Sequence, residues 1–180
     1  MPDLGVVPSD AELIEAWGKG DETAATELVR RHARALAAYL SAAGARDDVD
    51  DLVQETFYRA FTRLRGFRGQ ASFRTWLMTI GSNALKDLRR RNSRRPVVAL
   101  DDRDVADERG DPLAHVSARE LEERLGAAVA KLPPMQRDVF LMRAQQGMEY
   151  DDIAGALDTS VGAARVHYHH AVKRLKKELE

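Results

Sequence analysis

The chain has 180 residues, with 28 Lys and Arg against 29 Asp and Glu and a formal net charge of −1. At roughly 150 residues per domain this allows one large domain or two small ones, and the charge balance excludes a uniformly basic nucleic-acid coat while leaving room for local basic patches. Cysteine is absent, which excludes a disulfide scaffold, a thiolate zinc site and a cysteine nucleophile. Apolar residues make up 44% of the chain, enough for a core. No apolar run approaches the ~20 residues that a membrane span needs, and the segment from Met1 to Ser9 lacks the basic-then-apolar pattern of a signal peptide. A cytoplasmic protein without membrane insertion is expected.

The charge is blocked along the chain. Residues 1–96 carry net +3, residues 97–123 net −6, and residues 124–180 net +2. An acidic middle between two mildly basic ends predicts two modules and a connector. The connector is placed at 94–112, where Pro96, Gly110 and Pro112 break structure and six acids fall between Asp101 and Asp111. It has no helical apolar stripe and is expected to be flexible. The modules are then 1–93 and 113–180.

Strand signals are nearly absent and helix signals abundant, so the predicted fold is all-α with about four helices per module. Ser9 and Glu12 have capping-box spacing ahead of Leu13, Ile14 and Trp17. Gly18 and Gly20 break that helix, and Asp21 can cap the next, which carries Leu28, Leu36, Tyr39 and Leu40 and ends at Gly44. A third helix, from about Asp48 to Arg65, sets Val49, Leu52, Val53, Thr56, Phe57, Ala60, Phe61 and Leu64 on one face. A fourth, about Ser72 to Arg91, buries Phe73, Leu77, Ile80, Ala84 and Leu88. Beyond the connector, Ser117 and Glu120 form a second capping box, Pro133 and Pro134 separate two helices, and Gly147 ends the latter. Two helices remain, at about Glu149 to Leu157 and Ser160 to Leu179.

That last pair has the pattern of a helix-turn-helix. Ala154 is small enough for a close crossing, and Asp158 occupies the turn position where glycine is common; Asp tolerates the left-handed conformation better than most residues. The outward face of the final helix holds Arg165, Val166, His167, His169, His170, Lys173 and Arg174, which can reach phosphates and base edges in a major groove. The alternative is an ordinary helical hairpin with a solvated basic face.

The fourth helix is the second motif. Phe67 precedes it, and Phe73, Thr75, Trp76, Thr79, Asn83, Lys86, Arg89 and Arg90 sit along it, with six basic residues between Lys86 and Arg95. Aromatics among cations suit single-stranded or melted DNA. Equally, the aromatics can be plain core and the basic run a complement to the helix dipole. The third motif, Asp50, Asp51, Gln54 and Glu55, repels phosphate; it can bind a basic protein surface or simply solvate a helix N-terminus. His167 and His170 have metal-ligand spacing, but nothing nearby completes a site, so no metal or other cofactor is expected. No glycine-rich phosphate loop, Gly-x-Ser-x-Gly or metalloprotease pair is present, and the chain is not expected to be an enzyme.

In this order the three motifs resemble the bacterial sigma factors. Asp50 to Phe57 is similar to their core-polymerase-binding segment. Phe67 to Leu77, continuing through Asn83 to Arg91, is similar to their promoter-melting and minus-ten segment. Leu132 to Arg137, Tyr150 to Ala154 and the last helix are similar to their minus-thirty-five-binding domain. Two such domains alone resemble the extracytoplasmic-function (ECF) group. The resemblance implies an alternative sigma factor that binds core RNA polymerase, recognises both promoter elements and promotes melting. It implies polymerase contacts at Asp50, Asp51, Leu52, Gln54, Glu55 and Tyr58. It implies minus-ten contacts at Phe67, Phe73, Thr75, Trp76, Thr79, Asn83, Lys86, Arg89 and Arg90. Minus-thirty-five contacts are implied at Ser160, Val161, Gly162, Ala163, Arg165, Val166, His167, His169, His170 and Lys173. It further implies an anti-sigma partner and an acidic connector lying near the path of nascent RNA. Histidines where relatives often carry Arg or Lys predict a specialised minus-thirty-five preference and tighter promoter binding at mildly acidic pH. Two other readings remain: a stand-alone dimeric helix-turn-helix regulator, which needs neither the aromatic-basic helix nor the acidic face, and a helical protein-interaction module, which needs no basic recognition helix.

Overall fold

A computed structural model describes residues 7–94 and 118–180. The described residues form eight α-helices and no strand: α1 (Asp10–Gly18), α2 (Glu22–Ala42), α3 (Val49–Arg63), α4 (Phe73–Arg94), α5 (Ala118–Ala130), α6 (Pro134–Phe140), α7 (Tyr150–Leu157) and α8 (Val161–Leu179). The connector predicted at 94–112, apart from Arg94, and the Ser117 half of the second capping box lie outside the described residues.

Local chemistry sets the helix ends. At α1 the Ser9 hydroxyl accepts the Glu12 N–H, and the Glu12 carboxylate takes the Ser9 N–H at 2.6 Å. That backbone donor, and then the hydroxyl, hold the Glu12 carboxyl below its usual range. Asp21 caps α2 by accepting the Thr23 N–H at 2.9 Å. The third helix is shorter than its apolar pattern: α3 spans Val49–Arg63, and 3₁₀ turns at Arg46–Asp48 and Leu64–Gly66 take up the flanks. Pro134 opens α6 from Pro133, as expected of a residue with no N–H to lose. After Phe140 the helix widens into a π turn over Leu141–Gln145, and Gly147 turns out of it with φ +68°. Asp158 is left-handed (φ 54°, ψ 53°) between α7 and α8, and Ser160 caps α8 by accepting the Ala163 N–H at 3.1 Å.

The N-terminal module packs α1 on α2 and α2 and α3 on α4. Its centre is Leu28, Leu36, Tyr39, Leu40, Leu77, Met78 and Leu85, all fully buried. Asp10 of α1 ties back to α2 through Arg31 at 3.2 Å and His32 at 2.7 Å; the His32 ring in turn meets the edge of Phe73 at 5.3 Å. The C-terminal module packs α5, α6 and α7 around α8, burying Val139, Leu141, Met142, Ile153, Ala164 and Ala171. The apolar core is continuous between the modules: α4 lies against α7, and α2 against α5 and the π turn.

Candidate nucleic-acid and protein interfaces

On α3, the apolar stripe faces α2 and α4, which leaves the intervening positions in solvent. Asp50, Asp51, Gln54, Glu55 and Tyr58 are exposed, Tyr58 at 73%. Leu52 is not among them; at 5% exposure it belongs to the core, because it shares the stripe with Thr56 and Phe57. Glu55 accepts from Arg59 at 2.7 Å, and Arg59 also reaches Asp87 of α4 at 3.4 Å. Beside this face is a cleft of about 610 Å³ between α3 and α4. Asp48, Asp51 and Glu55 form its acidic wall, Arg91 and Asn92 the opposite one, with Leu52 and Leu88 also lining it. A cationic side chain with an aliphatic stem fits that chemistry. Leu88 and Arg91, which the sequence alone assigns to the core and to a DNA-facing run, and Asn92, which it does not single out, are additions.

The aromatics ahead of and within α4 pack against each other, edge-on or tilted, rather than standing unpaired. Phe67 meets Trp76 at 5.1 Å and Phe73 at 6.1 Å, and Phe73 meets Trp76 at 6.0 Å. Phe73 is 3% exposed and serves the core, since its position continues the Leu77 stripe; Phe67 and Trp76 are half-buried. Thr75 and Thr79, both half-buried, and exposed Asn83 and Arg90 follow at helical spacing. The Ser72 hydroxyl accepts the Thr75 N–H at 3.1 Å and so caps this stripe.

The remaining two minus-ten candidates are engaged elsewhere. Lys86 Nζ donates to the Ala156 carbonyl of α7 at 3.1 Å. Arg89 pairs with Asp138 of α6 at 2.9 Å and also donates to the Ala43 carbonyl. Arg137 donates to that same Ala43 carbonyl at 3.3 Å, and to the carbonyls of Ala130 at 2.8 Å and Leu132 at 3.1 Å. Gly44, with φ +98°, leaves room for this: a Cβ there would stand 3.0 Å from Arg137 Nη1. At the start of α4, Arg74 donates to Gln146 at 2.7 Å. Burial pushes the Lys86 and Arg137 cations below their ordinary ranges, and it raises the phenol of Tyr39, which lies fully buried near Asp138. None of these cross-module partners had been singled out from the sequence. The readable signal was Asp138, an acid on the same helical stripe as Met135 and Met142.

The outer face of α8 is open. Arg165, Val166, His169, His170 and Lys173 are exposed, Val166 at 52%, whereas His167 is half-buried. Ser160 and Gly162 are exposed at the helix start, with Val161 and Ala163 half-buried. Tyr150, at the start of α7, lies between two guanidiniums: Arg143 at 5.0 Å and Arg165 at 5.3 Å from its ring centroid. Arg143 is fixed by the Met148 carbonyl at 2.7 Å and by Glu149 at 3.1 Å. The described residues contain no cluster of three metal-ligating side chains and no helix long and apolar enough to cross a membrane.

These surfaces coincide with two family matches. Residues 28–95 match Sigma-70 region 2, and residues 122–175 match Sigma-70, region 4. The chain is 30% identical over 181 residues to the ECF RNA polymerase sigma-E factor of Haemophilus influenzae, covering 96% of both proteins. It is equally 30% identical to that of Escherichia coli K12, covering 96% of this chain and 95% of the other. Among solved structures it is similar to CnrH in complex with the cytosolic domain of CnrY, with TM-score 0.67, 30% identity, and coverage of 94% and 96%. It shares the fold of RpoE from Bartonella quintana, solved with the anti-sigma factor NepR, with TM-score 0.67, 19% identity, and coverage of 86% and 95%.

Proposed function

The chain belongs to the ECF sigma factors of bacterial RNA polymerase, and we propose that it divides the work of that family among three surfaces of its own. It is an alternative sigma factor: it binds core polymerase, recognises promoter DNA and supports transcription initiation. The module at 1–93 carries the polymerase and minus-ten contacts, and the module at 113–180 carries the minus-thirty-five contacts. The observation that carries this assignment is the separation of charge. The carboxylates of Asp50, Asp51 and Glu55 stand exposed on α3, while the cations sit on α4 and α8.

A carboxylate face beside phosphate would repel it, so α3 is given to protein. Asp51 and Glu55, with the cleft beside them, receive a basic segment of the polymerase clamp, and Tyr58 adds an exposed ring. Phe67 and Trp76 hold an unstacked base of the non-template strand, while Asn83 and Arg90 contact its backbone and bases. The exposed residues of α8 enter the major groove at the minus-thirty-five element. Promoter opening needs no bond chemistry from this chain; preferential binding to the melted strand drives it. The chain acts in the cytoplasm, where polymerase is. An anti-sigma protein is a fitting partner, since RpoE of Bartonella quintana was solved with one and CnrH was solved with the cytosolic domain of another protein, CnrY.

The test is pull-down of core polymerase and abortive initiation on a pool of genomic promoters. Native chain should bind core and start transcription, and the Asp51→Lys/Glu55→Lys pair should lose both. Undiminished initiation by that pair removes the docking assignment. Binding to duplex DNA only as a dimer, without core, favours the stand-alone regulator instead.

A further inference from the structure

The three surfaces assigned above use nothing from α1, yet α1 walls a cavity of its own. Between it and the end of α3 lies a cleft of about 430 Å³, lined by Ile14, Trp17, Phe61 and Leu64 and, on its exposed side, by Gly18 and Arg65. We propose that this cleft is a second base site for the melted strand, receiving a nucleobase about two nucleotides away from the one held at Phe67 and Trp76. This rests on the assignment of Phe67 and Trp76 to an unstacked base.

The walls are those a base needs. The Trp17 and Phe61 rings meet at 5.4 Å, tilted by 55°, and both are half-buried while lining the cleft. Every base has a π-face that packs on such rings. The indole N–H of Trp17 makes no hydrogen bond among the described residues and is left to donate to a base edge. Charge favours nucleic acid over an apolar peptide. Arg63, Arg65 and Arg68 are exposed, and none forms an ion pair or hydrogen bond among the described residues. No acid among the described residues lines the cleft, and Glu15 of α1 is already paired with Lys19 at 2.6 Å. Three guanidiniums so placed, with no carboxylate to satisfy them, suit a phosphate chain. Position supplies the strand. Leu64 lines the cleft, and its carbonyl accepts the Phe67 N–H at 3.0 Å, so the turn Leu64–Gly66 joins the two sites. At ~2.0 Å of rise per residue that turn sets them roughly 6 Å apart along the backbone, which two stacked nucleotides at ~3.4 Å each span.

A Cβ on Gly18 would meet nothing within 4 Å, so Gly18→Leu fits without strain and sets a branched side chain at the mouth of the cleft. The chain has two tryptophans, Trp17 and Trp76. Trp76→Phe therefore leaves one indole in the cleft, and Trp17→Phe leaves one at the first base site. Full-length single-tryptophan chains are titrated at low salt with short single-stranded DNA of random sequence and with abasic strand of the same length. Strand with bases should quench both indoles, and abasic strand neither. Gly18→Leu should abolish the Trp17 quench, keep the Trp76 quench and, in the otherwise native chain, lower affinity for the pool about tenfold. Arg65→Gln should lower affinity about threefold and flatten its salt slope by ~0.7, one phosphate contact on a single strand. Quenching of Trp76 alone overturns the second site and keeps the first, whereas strand bound with neither indole quenched removes both. Native affinity of Gly18→Leu for the pool overturns the proposal as well. If Gly18→Leu weakens binding of core polymerase instead of DNA, the cleft takes a protein segment and the proposal falls. If the free chain binds no strand, holoenzyme decides: Gly18→Leu should bind core normally and initiate about tenfold less from the genomic promoter pool. Native initiation by that variant then overturns the second site, and no initiation by the native holoenzyme removes the reading beneath it.

Discussion

The guanidinium of Arg165 stands 5.3 Å from the centre of the Tyr150 ring, with Arg143 also stacked on that ring, at 5.0 Å. A long side chain on the exposed face of α8, the face we assign to minus-thirty-five DNA, is thereby held by the helix before it. An exposed cation–π contact is worth ~0.5–1 kcal/mol, so Tyr150→Leu should weaken minus-thirty-five-dependent binding by about two- to fivefold, while Tyr150→Phe keeps native affinity. In an Arg165→Ala background Tyr150→Leu should add nothing. Competition binding with a minus-thirty-five duplex checks this, and equal losses in both backgrounds would show that the ring acts only through packing.

Reversing charge on α3 should separate function from stability. Asp51→Lys loses a first-turn acid of α3 and Glu55→Lys its pair with Arg59, so each should lower stability by about 1 kcal/mol at most, yet lower affinity for core polymerase at least about tenfold, an effect that high salt compresses. Thermal melts and fluorescence titration with core enzyme measure the two quantities side by side.

Gly81 sits where α4 packs closely on α2 and α3. A Cβ there would lie 2.8 Å from Leu36 Cδ1 and 3.5 Å from Thr56 Oγ1. Leu36 and Thr56 are fully buried, so neither can swing into solvent. Alanine gains up to ~1 kcal/mol of helix propensity, but overpacking costs ~1–3 kcal/mol. Gly81→Ala should therefore lower the melting temperature by several degrees. A rise would show that Leu36 has room to repack.

The left-handed turn gives an opposite case. Asp158 pays for φ 54° with a side chain that glycine lacks. Asp158→Gly should be neutral to about 1 kcal/mol stabilising, and Asp158→Val clearly destabilising, by chemical denaturation.

Acid stability carries a signature in α2. Side-chain bonds from Arg30, then Arg31, draw the Glu27 carboxyl from 4.5 down to about 2. A carboxyl depressed in the folded state stabilises fully above its unfolded value and loses that contribution as pH falls through the folded one. The stability gap between native chain and Glu27→Gln should thus be complete above about pH 4.5 and close toward pH 2. A gap of constant size across that range would assign Glu27 a purely steric role.

Much of this architecture was legible in the chain because it is written in local signals. The Ser9–Glu12 box, the Asp21 cap, the Pro133–Pro134 start and the left-handed Asp158 each follow from a residue and its near neighbours. The exposed acids of α3 follow from one helical period. What escaped depends on contacts between distant segments. Leu52 and Phe73 stand on apolar stripes that read as core, and only the family resemblance assigns them to contact surfaces; both are buried. Lys86 and Arg89 read as free cations because their partners lie 70 and 49 residues away. The connector, where charge was most uneven, lies outside the described residues.

Arg137 collects the carbonyls of Ala43, just past the end of α2, and of Ala130 and Leu132, at the end of α5 and beyond it. One planar fork thus finishes two helices that belong to separate halves of the protein. Their terminal turns share a fate: when one unravels, the other loses its donor in the same event. Amide exchange at the ends of α2 and α5 should accelerate together wherever that fork is withdrawn, a correlated fraying that a lysine, with its single nitrogen, could not reproduce.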